Sequence, residues 1–369
     1  MASARKPKKI LIAAGGTGGH VFPGLALAEE LSRGWDVEVV FVGTPRGIES
    51  TVFPALGYRL ELLNVEPMKG GGFARALRGG GIAAWQSVRA MGVVAHERPA
   101  AVVSIGGYAA GPIGVAAAAS FVPLVLVEPN GHPGLTNRLL APLADQVFVA
   151  WPTLAGLGRS GRTSVAGVPV RSGFKAQRAE SSRDGRFHIL VLGGSQGAKS
   201  LNERVPEAVG RLVAIQKKLS VVHQCGKNVP AVEEAYRQAG LADVQVTSFI
   251  DDVAAAIARA DVVIGRAGAV SLAEICAVGR PSILIPFPHA ADDHQAANAM
   301  ALQNAGASIC IREEAADPQR LALELERLLG DTARLRAMSD AALAAGRPDA
   351  ARVIASKIAV LAKLGEKKG

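Results

Sequence analysis

The strongest constraint on this chain is a motif that occurs twice. Residues 10–19 read ILIAAGGTGG and residues 189–197 read ILVLGGSQG. Each is a short apolar run, then a glycine-rich turn, then a segment with helical spacing. An apolar strand without alternation is buried on both faces, which places it in a parallel sheet covered by helices. The glycine turn lets backbone approach a ligand, and the helix that follows offers unbonded N–H groups to an anion. Two such starts predict two similar nucleotide-fold α/β halves, and 369 residues is a length that suits two domains.

The rest of the chain keeps the same rhythm. Strands are expected at Lys9–Ala14, Val37–Gly43, Arg59–Val65 and Ala101–Ile105, then at 123–127, 187–192, 219–223, 244–249, 261–264 and 282–286. Ala100–Val127 carries no charge, yet Gly106, Gly107, Gly111, Pro112, Gly114 and Pro123 interrupt it. It reads as strand, loop, a helix at 113–120 and strand, and not as a membrane span. The polar stretch Ser172–Arg186 reads as the linker between halves, and 347–363 as a final amphipathic helix. The apolar run near the N-terminus, Ile10–Ala14, is too short for a signal-peptide core.

Composition narrows the function classes. Cys225, Cys276 and Cys310 are odd in number and far apart, which argues against a disulfide framework or zinc site and suits a reduced cytoplasm. The formal charge is +9, from 41 basic against 32 acidic residues, and it is local. Arg5, Lys6, Lys8 and Lys9 lie in one tail; Lys363, Lys367 and Lys368, against Glu366, lie in the other. Lys69, Arg75, Arg78 and Arg89 lie in residues 67–95, which hold no acid. A basic nucleic-acid module is disfavoured, because aromatics for base stacking are only 4% of the chain and no recognised motif appears.

The loops carry the chemistry. Gly15-Gly16-Thr17-Gly18-Gly19-His20 fails the dinucleotide fingerprint, since Val21 stands at the last glycine position and the second strand ends without an acid. His20 is a candidate general base, because imidazole titrates near neutrality; the alternative is a helix-terminal histidine bonded to its own backbone. Gly193-Gly194-Ser195-Gln196-Gly197 repeats the anion cradle with a hydroxyl added. Gly106-Gly107-Tyr108 follows a buried strand and serves either ligand contact or close packing. Asn130, in Glu128-Pro129-Asn130-Gly131, is placed to bond a sugar or diphosphate, or simply sits in a β-turn. In Arg266-Ala267-Gly268-Ala269-Val270-Ser271-Leu272-Ala273-Glu274, the carboxylate lies about two turns into an apolar helix and can accept two ribose hydroxyls; a solvated helix face is the alternative. Asp292, Asp293, His294, Gln295 and Asn298 follow the run PSILIPFP and read as sugar-hydroxyl partners, with no convincing third ligand for a metal.

Together GGTGGH (15–20), GGYAAGP (106–112), EPNGHPGLTNR (128–138), GGSQGA (193–198), FIDD (249–252) and RAGAVSLAEICAVGRP (266–281) resemble the bacterial MurG family of N-acetylglucosaminyltransferases, in glycosyltransferase family 28. The likeness spans about residues 8–360. It implies two Rossmann-like domains facing a cleft, the glycosyltransferase B architecture, with the C-terminal helix returning to the N-domain. The acceptor domain would be 1–167 with 347–369, and the UDP-sugar domain 168–346. The implied reaction is inverting transfer of N-acetylglucosamine from its UDP ester to lipid I, giving lipid II for peptidoglycan, and so serving cell shape and division.

By matching position, Thr17, Gly18 and Gly19 would lie beside the acceptor diphosphate and donor sugar, and His20 would be the base. Gly15, Gly16, Gly106, Gly107 and Tyr108 would form the acceptor diphosphate loops. Asn130 and Arg171 match donor contacts, and Ser195 would hold the donor diphosphate. Ile250 would meet uracil through its backbone. Ala269 and Val270, with Ser271, Leu272 and Ala273, would line the diphosphate end, Glu274 would hold the ribose, and Gln295 the sugar hydroxyls. Pro129, Val168 and Ala267 depart from the family's usual Gln, Asn and Ser. No metal and no cofactor is expected.

The expected partners are UDP-N-acetylglucosamine, lipid I, an anionic membrane surface met peripherally on the cytoplasmic face of the inner membrane, and cell-wall synthesis or division proteins. Ile82, Ala83, Ala84, Trp85, Val88 and Met91 supply apolar surface among the basic residues of 67–95, a pattern suited to lipid docking; a core-facing stripe is the alternative. A UDP-N-acetylglucosamine 2-epimerase and a glycolipid synthase with another acceptor, such as diacylglycerol, are the competing enzyme readings.

Overall fold

The computed structural model describes residues 7–65, 86–176, 185–194, 196–214, 218–241 and 244–367. The chain divides into two compact units, one running to Ser172 with Asp349–Gly369 added, the other spanning Gly173–Pro348. The junctions thus fall at Ser172 and Pro348 instead of the expected 167 and 346. Val168 and Val170 are buried, and Arg171 stacks on Phe22, so this short segment packs with the first unit.

The first unit runs β1 (Lys8–Ala14), α1 (Gly18–Gly34), β2 (Val37–Gly43), α2 (Glu49–Ala55), β3 (Arg59–Leu62), a helix α3 at residues 86–97, β4 (Ala101–Gly106), α4 (Ala110–Ala119), β5 (Leu124–Glu128), α5 (Leu135–Leu140), β6 (Gln146–Val149) and β7 (Thr163–Val165). Its sheet is parallel with order β3-β2-β1-β4-β5-β6-β7. Alternate residues of β1 enter different cores. Ile10 and Ile12 pack with Leu27 and Leu31 of α1, while Leu11 and Ala13 pack with Ala90 and Val94 of α3 and Ile113 of α4. Both faces are covered, as an unbroken apolar strand requires.

The second unit runs β8 (Phe187–Leu192), α6 (Lys199–Gly210), β9 (Leu219–Gln224), α7 (Val229–Gln238), β10 (Val244–Thr247), α8 (Val253–Arg259), β11 (Val262–Gly265), α9 (Ala269–Val278), β12 (Ser282–Leu284), α10 (His294–Asn304), β13 (Ser308–Cys310), α11 (Pro318–Leu329) and α12 (Thr332–Ala345). Its parallel sheet has the order β10-β9-β8-β11-β12-β13. The last helix, α13 (Ala350–Leu361), belongs to the first unit, where Ile354, Ala355 and Ile358 share a core with α1. Lys8 Nζ donates to the carbonyls of Ala362 (3.0 Å) and Lys363 (2.7 Å), a cation at the negative end of that helix.

Three strands escaped the sequence reading: β6, β7 and β13. Each is only three or four residues long, and QVFV, TSV and SIC carry too little apolar run to stand out. The uncharged stretch resolves into β4, α4 and β5, with α4 starting three residues before the expected 113. Pro112 did not block that start because it is the third helical residue, where the N–H has no partner within the helix. Among the described residues, no helix is long and apolar enough to cross a membrane.

The strand order places the functional loops. The order of strand addition reverses between β1 and β4 in the first sheet and between β8 and β11 in the second, with all strands parallel. Ligands of open α/β sheets bind beyond the carboxyl ends of strands at such a switch point. The glycine-rich turns after β1, β4 and β8, and Arg266–Gly268 after β11, all lie there.

Candidate active site

In the first unit, Gly106 and Gly107 let the loop after β4 close onto the loop after β1. Their φ angles are +125° and +90°. A Cβ on Gly107 would stand 2.5 Å from the Gly15 carbonyl, and one on Gly106 would stand 2.9 Å from His20 Nε2. Close packing is therefore one reason for these glycines, and Tyr108 beside them is half exposed. The His20 ring is held with Nδ1 3.0 Å from the Gly15 carbonyl oxygen. A carbonyl can only accept, so Nδ1 carries the proton and Nε2 is the basic nitrogen. Backbone bonding and a base role, alternatives in the sequence, are compatible in the fold.

Within the expected acceptor diphosphate loop, the Gly16 N–H is already given to Glu49 Oε2 at 2.8 Å. Among the described residues, the backbone N–H groups of Gly18 and Gly19, at the start of α1, have no acceptor. They are the anion donors this loop retains.

Glu128 ends β5 almost completely buried and organises the next loop. Its Oε1 accepts from the Asn130 N–H (3.0 Å) and Nδ2 (3.3 Å), and its Oε2 from the Gly134 N–H (3.0 Å) and Asn137 Nδ2 (3.1 Å). Asn137 in turn accepts the Ser104 hydroxyl at 3.0 Å. Asn130 is thus oriented with Oδ1 as the end of its amide turned from Glu128. Arg171 lies in the same unit, its guanidinium 5.2 Å from the Phe22 ring centre.

In the second unit, glycines again allow two loops to interlock. A Cβ on Gly197 would fall 2.2 Å from the Cys225 carbonyl oxygen, and one on Gly226 would fall 2.6 Å from the Gly197 nitrogen. The Gly193 N–H donates to the Gln224 carbonyl (3.0 Å), and Gln224 Nε2 returns a bond to the Gly194 carbonyl (3.1 Å). Behind them, Asn202 Nδ2 donates to the Cys225 carbonyl at 3.0 Å, and its Oδ1 lies 3.1 Å from His223 Nε2. His223 Nδ1 lies 2.9 Å from the Tyr236 hydroxyl. Burial pushes the His223 imidazole down to about 4 and the Tyr236 phenol upward. Ser195 itself lies outside the described residues.

Helix α9 opens with Gly268 as its N-cap, and the N–H groups of Ala269, Val270 and Ser271 have no acceptor among the described residues. Such a turn carries about half a positive charge. Leu272 is buried, Ala273 is half-buried, and Glu274 is 7% exposed, which argues against the solvated-face alternative. Gln295 does more than the sequence suggested. Its Oε1 accepts from the N–H groups of Ala267 (3.2 Å) and Phe287 (3.0 Å), so Nε2 is the end left to donate to a hydroxyl. Asn298 Nδ2 donates to the Ala267 carbonyl at 3.1 Å. Both oxygens of Asp293 bind Arg312 Nη1, at 3.1 and 2.9 Å.

Arg266 ties these loops together. It donates to the carbonyls of Ile285 (3.1 Å) and Pro286 (3.3 Å) and to Ser200 Oγ (3.0 Å), and it pairs with Glu313. Burial alone would raise the Glu313 carboxyl, but bonds from Arg266 and Ser200 outweigh it and hold the group below its ordinary value. In the FIDD loop, Thr247 Oγ1 donates to the Phe249 carbonyl at 2.8 Å and ends β10. Ile250 follows with its N–H and C=O unbonded among the described residues, a donor beside an acceptor. A cavity of about 510 Å³ adjoins this loop, lined among others by Leu190, Val222, Thr247, Ile250 and Ala255. Among the described residues, no group of three or more His, Cys, Asp or Glu could hold a metal ion.

Glu49, Glu128, His223 and Arg266 were absent from the expected site. Only Glu128 and Arg266 had a signal, being polar residues at the ends of apolar strands.

Comparison with known proteins shows the family of the chain. Residues 10–149 match the glycosyltransferase family 28 N-terminal domain, and residues 188–354 its C-terminal domain. A UDP-N-acetylglucosamine--N-acetylmuramyl-(pentapeptide) pyrophosphoryl-undecaprenol N-acetylglucosamine transferase from Sorangium cellulosum is 46% identical over 96% of this chain and 88% of its own. One of the same name from Alkalilimnicola ehrlichii is 46% identical, over 94% and 97% of the two chains. The crystal structure of Acinetobacter baumannii MurG superposes with a TM-score of 0.80 at 31% identity, covering 95% of this chain and 99% of that one. The chain belongs to glycosyltransferase family 28, among its MurG-type transferases.

Proposed function

We propose that the protein transfers N-acetylglucosamine from UDP-N-acetylglucosamine to the C4 hydroxyl of lipid I, giving lipid II and UDP. Its relatives carry the name of that transferase along nearly the whole chain, which supports the choice of substrates. The observation that carries the chemistry is the His20 ring, whose Nδ1–H is taken by the Gly15 carbonyl and whose Nε2 is the proton acceptor. The hydroxyl oxygen attacks the anomeric carbon as its proton passes to Nε2. The bond from that carbon to the diphosphate oxygen breaks, UDP leaves with the electron pair, and configuration inverts.

The second unit holds the donor. Ile250 offers its backbone donor and acceptor to uracil, Glu274 accepts the ribose hydroxyls, and Gln295 Nε2 donates to a sugar hydroxyl. The unbonded N–H groups at the start of α9 meet the diphosphate, so fixed dipoles stabilise the leaving charge. A positioned base contributes roughly 10²–10⁴-fold. In His20→Ala turnover should fall by about that factor with donor affinity retained; near-normal turnover would remove His20 from the role.

The protein docks peripherally on anionic lipid at the cytoplasmic face of the inner membrane. Support comes from α3, where Val88, Arg89 and Met91 are exposed. Lys69, Arg75, Arg78 and Ile82, Ala83, Ala84 and Trp85 lie outside the described residues. Flotation with anionic vesicles tests this: the protein should rise with them at low salt, and failure to bind would refute it.

A further inference from the structure

Glu49 is a fully buried carboxylate bonded to the loop that holds the proposed base, and the proposed transfer does not use it. It begins α2, and its exposure is 0%. Its Oε1 accepts the Thr44 N–H and hydroxyl, both at 2.9 Å, and its Oε2 accepts the Gly16 N–H at 2.8 Å. The fold has made room for it with glycines from two loops. A Cβ on Gly15, Gly43 or Gly47 would stand 2.4, 2.5 or 1.9 Å from the Glu49 side chain. Among the described residues no cation pairs with it, and Arg46 in the same loop is exposed.

The Gly16 N–H and the Gly15 carbonyl belong to one peptide group. Its N–H end is held by Glu49, and its carbonyl end holds His20 Nδ1. In a trans peptide these two ends point in opposite directions. The planar group therefore links the carboxylate to the imidazole in a line: carboxylate, N–H, C=O, Nδ1–H. With glycine on both sides, and Gly16 at φ +92°, little steric preference opposes a flip of that plane. We infer that Glu49 is the positioning residue for His20, fixing the Gly15–Gly16 peptide and through it the ring tautomer whose Nε2 takes the proton. Hydrogen bonds in such a chain polarise one another, so the acceptor held at the N–H end also strengthens the carbonyl as an acceptor. Carboxylates that orient a histidine usually touch the ring; here the contact runs through one peptide bond.

This role matters to turnover because of the reading of His20 as the base, but the tautomer can be observed without it. Protein labelled with 15N-histidine is compared with His20→Gln to assign the His20 ring. The unmodified protein should show His20 with a protonated Nδ1 and a basic Nε2. Finding Nε2 protonated instead would overturn the inference without any Glu49 variant. Glu49→Gln keeps the shape but offers one acceptor oxygen to two backbone N–H groups, and should convert the His20 signals to a tautomer mixture. Gly15→Ala should do the same by displacing the carboxylate. Thr44→Val removes the hydroxyl bond alone and should leave the tautomer intact. In Glu49→Gln, kcat should fall roughly 10- to 100-fold while KM for UDP-N-acetylglucosamine stays within about twofold. Unchanged His20 signals in folded Glu49→Gln or Gly15→Ala would refute the positioning role. A changed tautomer with unchanged kcat would uphold it and instead remove His20 as the base.

Discussion

Acid should weaken the second unit through His223. The ring is fully buried, with Nε2 against Asn202 Oδ1 at 3.1 Å and Nδ1 against the Tyr236 hydroxyl at 2.9 Å. Asn202 gives its NH2 to the Cys225 carbonyl, so its oxygen faces the ring and the neutral Nε2–H tautomer satisfies every partner. Burial pushes the imidazole from 6.5 down to about 4. A depressed value means that the unfolded chain takes up a proton that the folded one refuses. The stability gained from keeping the ring neutral is complete above about pH 6.5 and disappears as the pH falls toward about 4. The gap corresponds to about 3 kcal/mol. His223→Gln abolishes this dependence while leaving groups to bond Asn202 and Tyr236. Urea unfolding, followed by hydrogen exchange of β9 peptides at pH 7, 6, 5 and 4.5, measures the difference between the two proteins. The advantage of the parent should shrink steadily below about pH 6.5. A difference independent of pH would refute the buried neutral ring.

Other outcomes follow from the donor site. Glu274→Ala should lower UDP affinity about 10- to 100-fold by calorimetry, as loss of charge-assisted bonds to ribose requires; equal binding by variant and parent would contradict that assignment. Gln295→Glu keeps an acceptor for the Ala267 and Phe287 N–H groups but deletes the amide donor. The preference for UDP-N-acetylglucosamine over UDP should drop roughly 2- to 13-fold, and an unchanged preference would place the sugar elsewhere. Turnover should persist in excess chelator; full loss, restored only by a stoichiometric divalent ion, would overturn the account of the leaving diphosphate.

The sequence exposed those parts of the fold in which one segment carries the whole signal. β1, β2 and β8 are apolar runs that demand burial on both faces, and the turns after β1 and β8 announce themselves by glycine. β6, β7 and β13 are legible only through their neighbours, because a short strand takes its identity from the ladder it joins. The site shows the same division. The N–H groups left open at Ile250 and in the first turn of α9 belong to the backbone, and the turn before α9 is marked by its own local run Arg266–Gly268. Glu49 looks like any acid at the start of a helix until Gly15, Gly43 and Gly47 converge on it. His223, Asn202 and Tyr236 come from three separate elements, and nothing local marks them as one network. Gln295 was expected to face the sugar, but the bonds orienting its amide come from backbone eight and 28 positions away.

Transfer to a lipid-linked muramoyl sugar is the activity on which the residue roles depend. It is tested most directly by incubating the protein with labelled UDP-N-acetylglucosamine, with and without a lipid I analogue, and resolving both sugar products. A lipid-linked disaccharide in the inverted configuration and matching UDP release should form with acceptor present, and the nucleotide sugar should stay unaltered without it. Epimerised nucleotide sugar in the absence of acceptor, or no disaccharide in its presence, would contradict that activity.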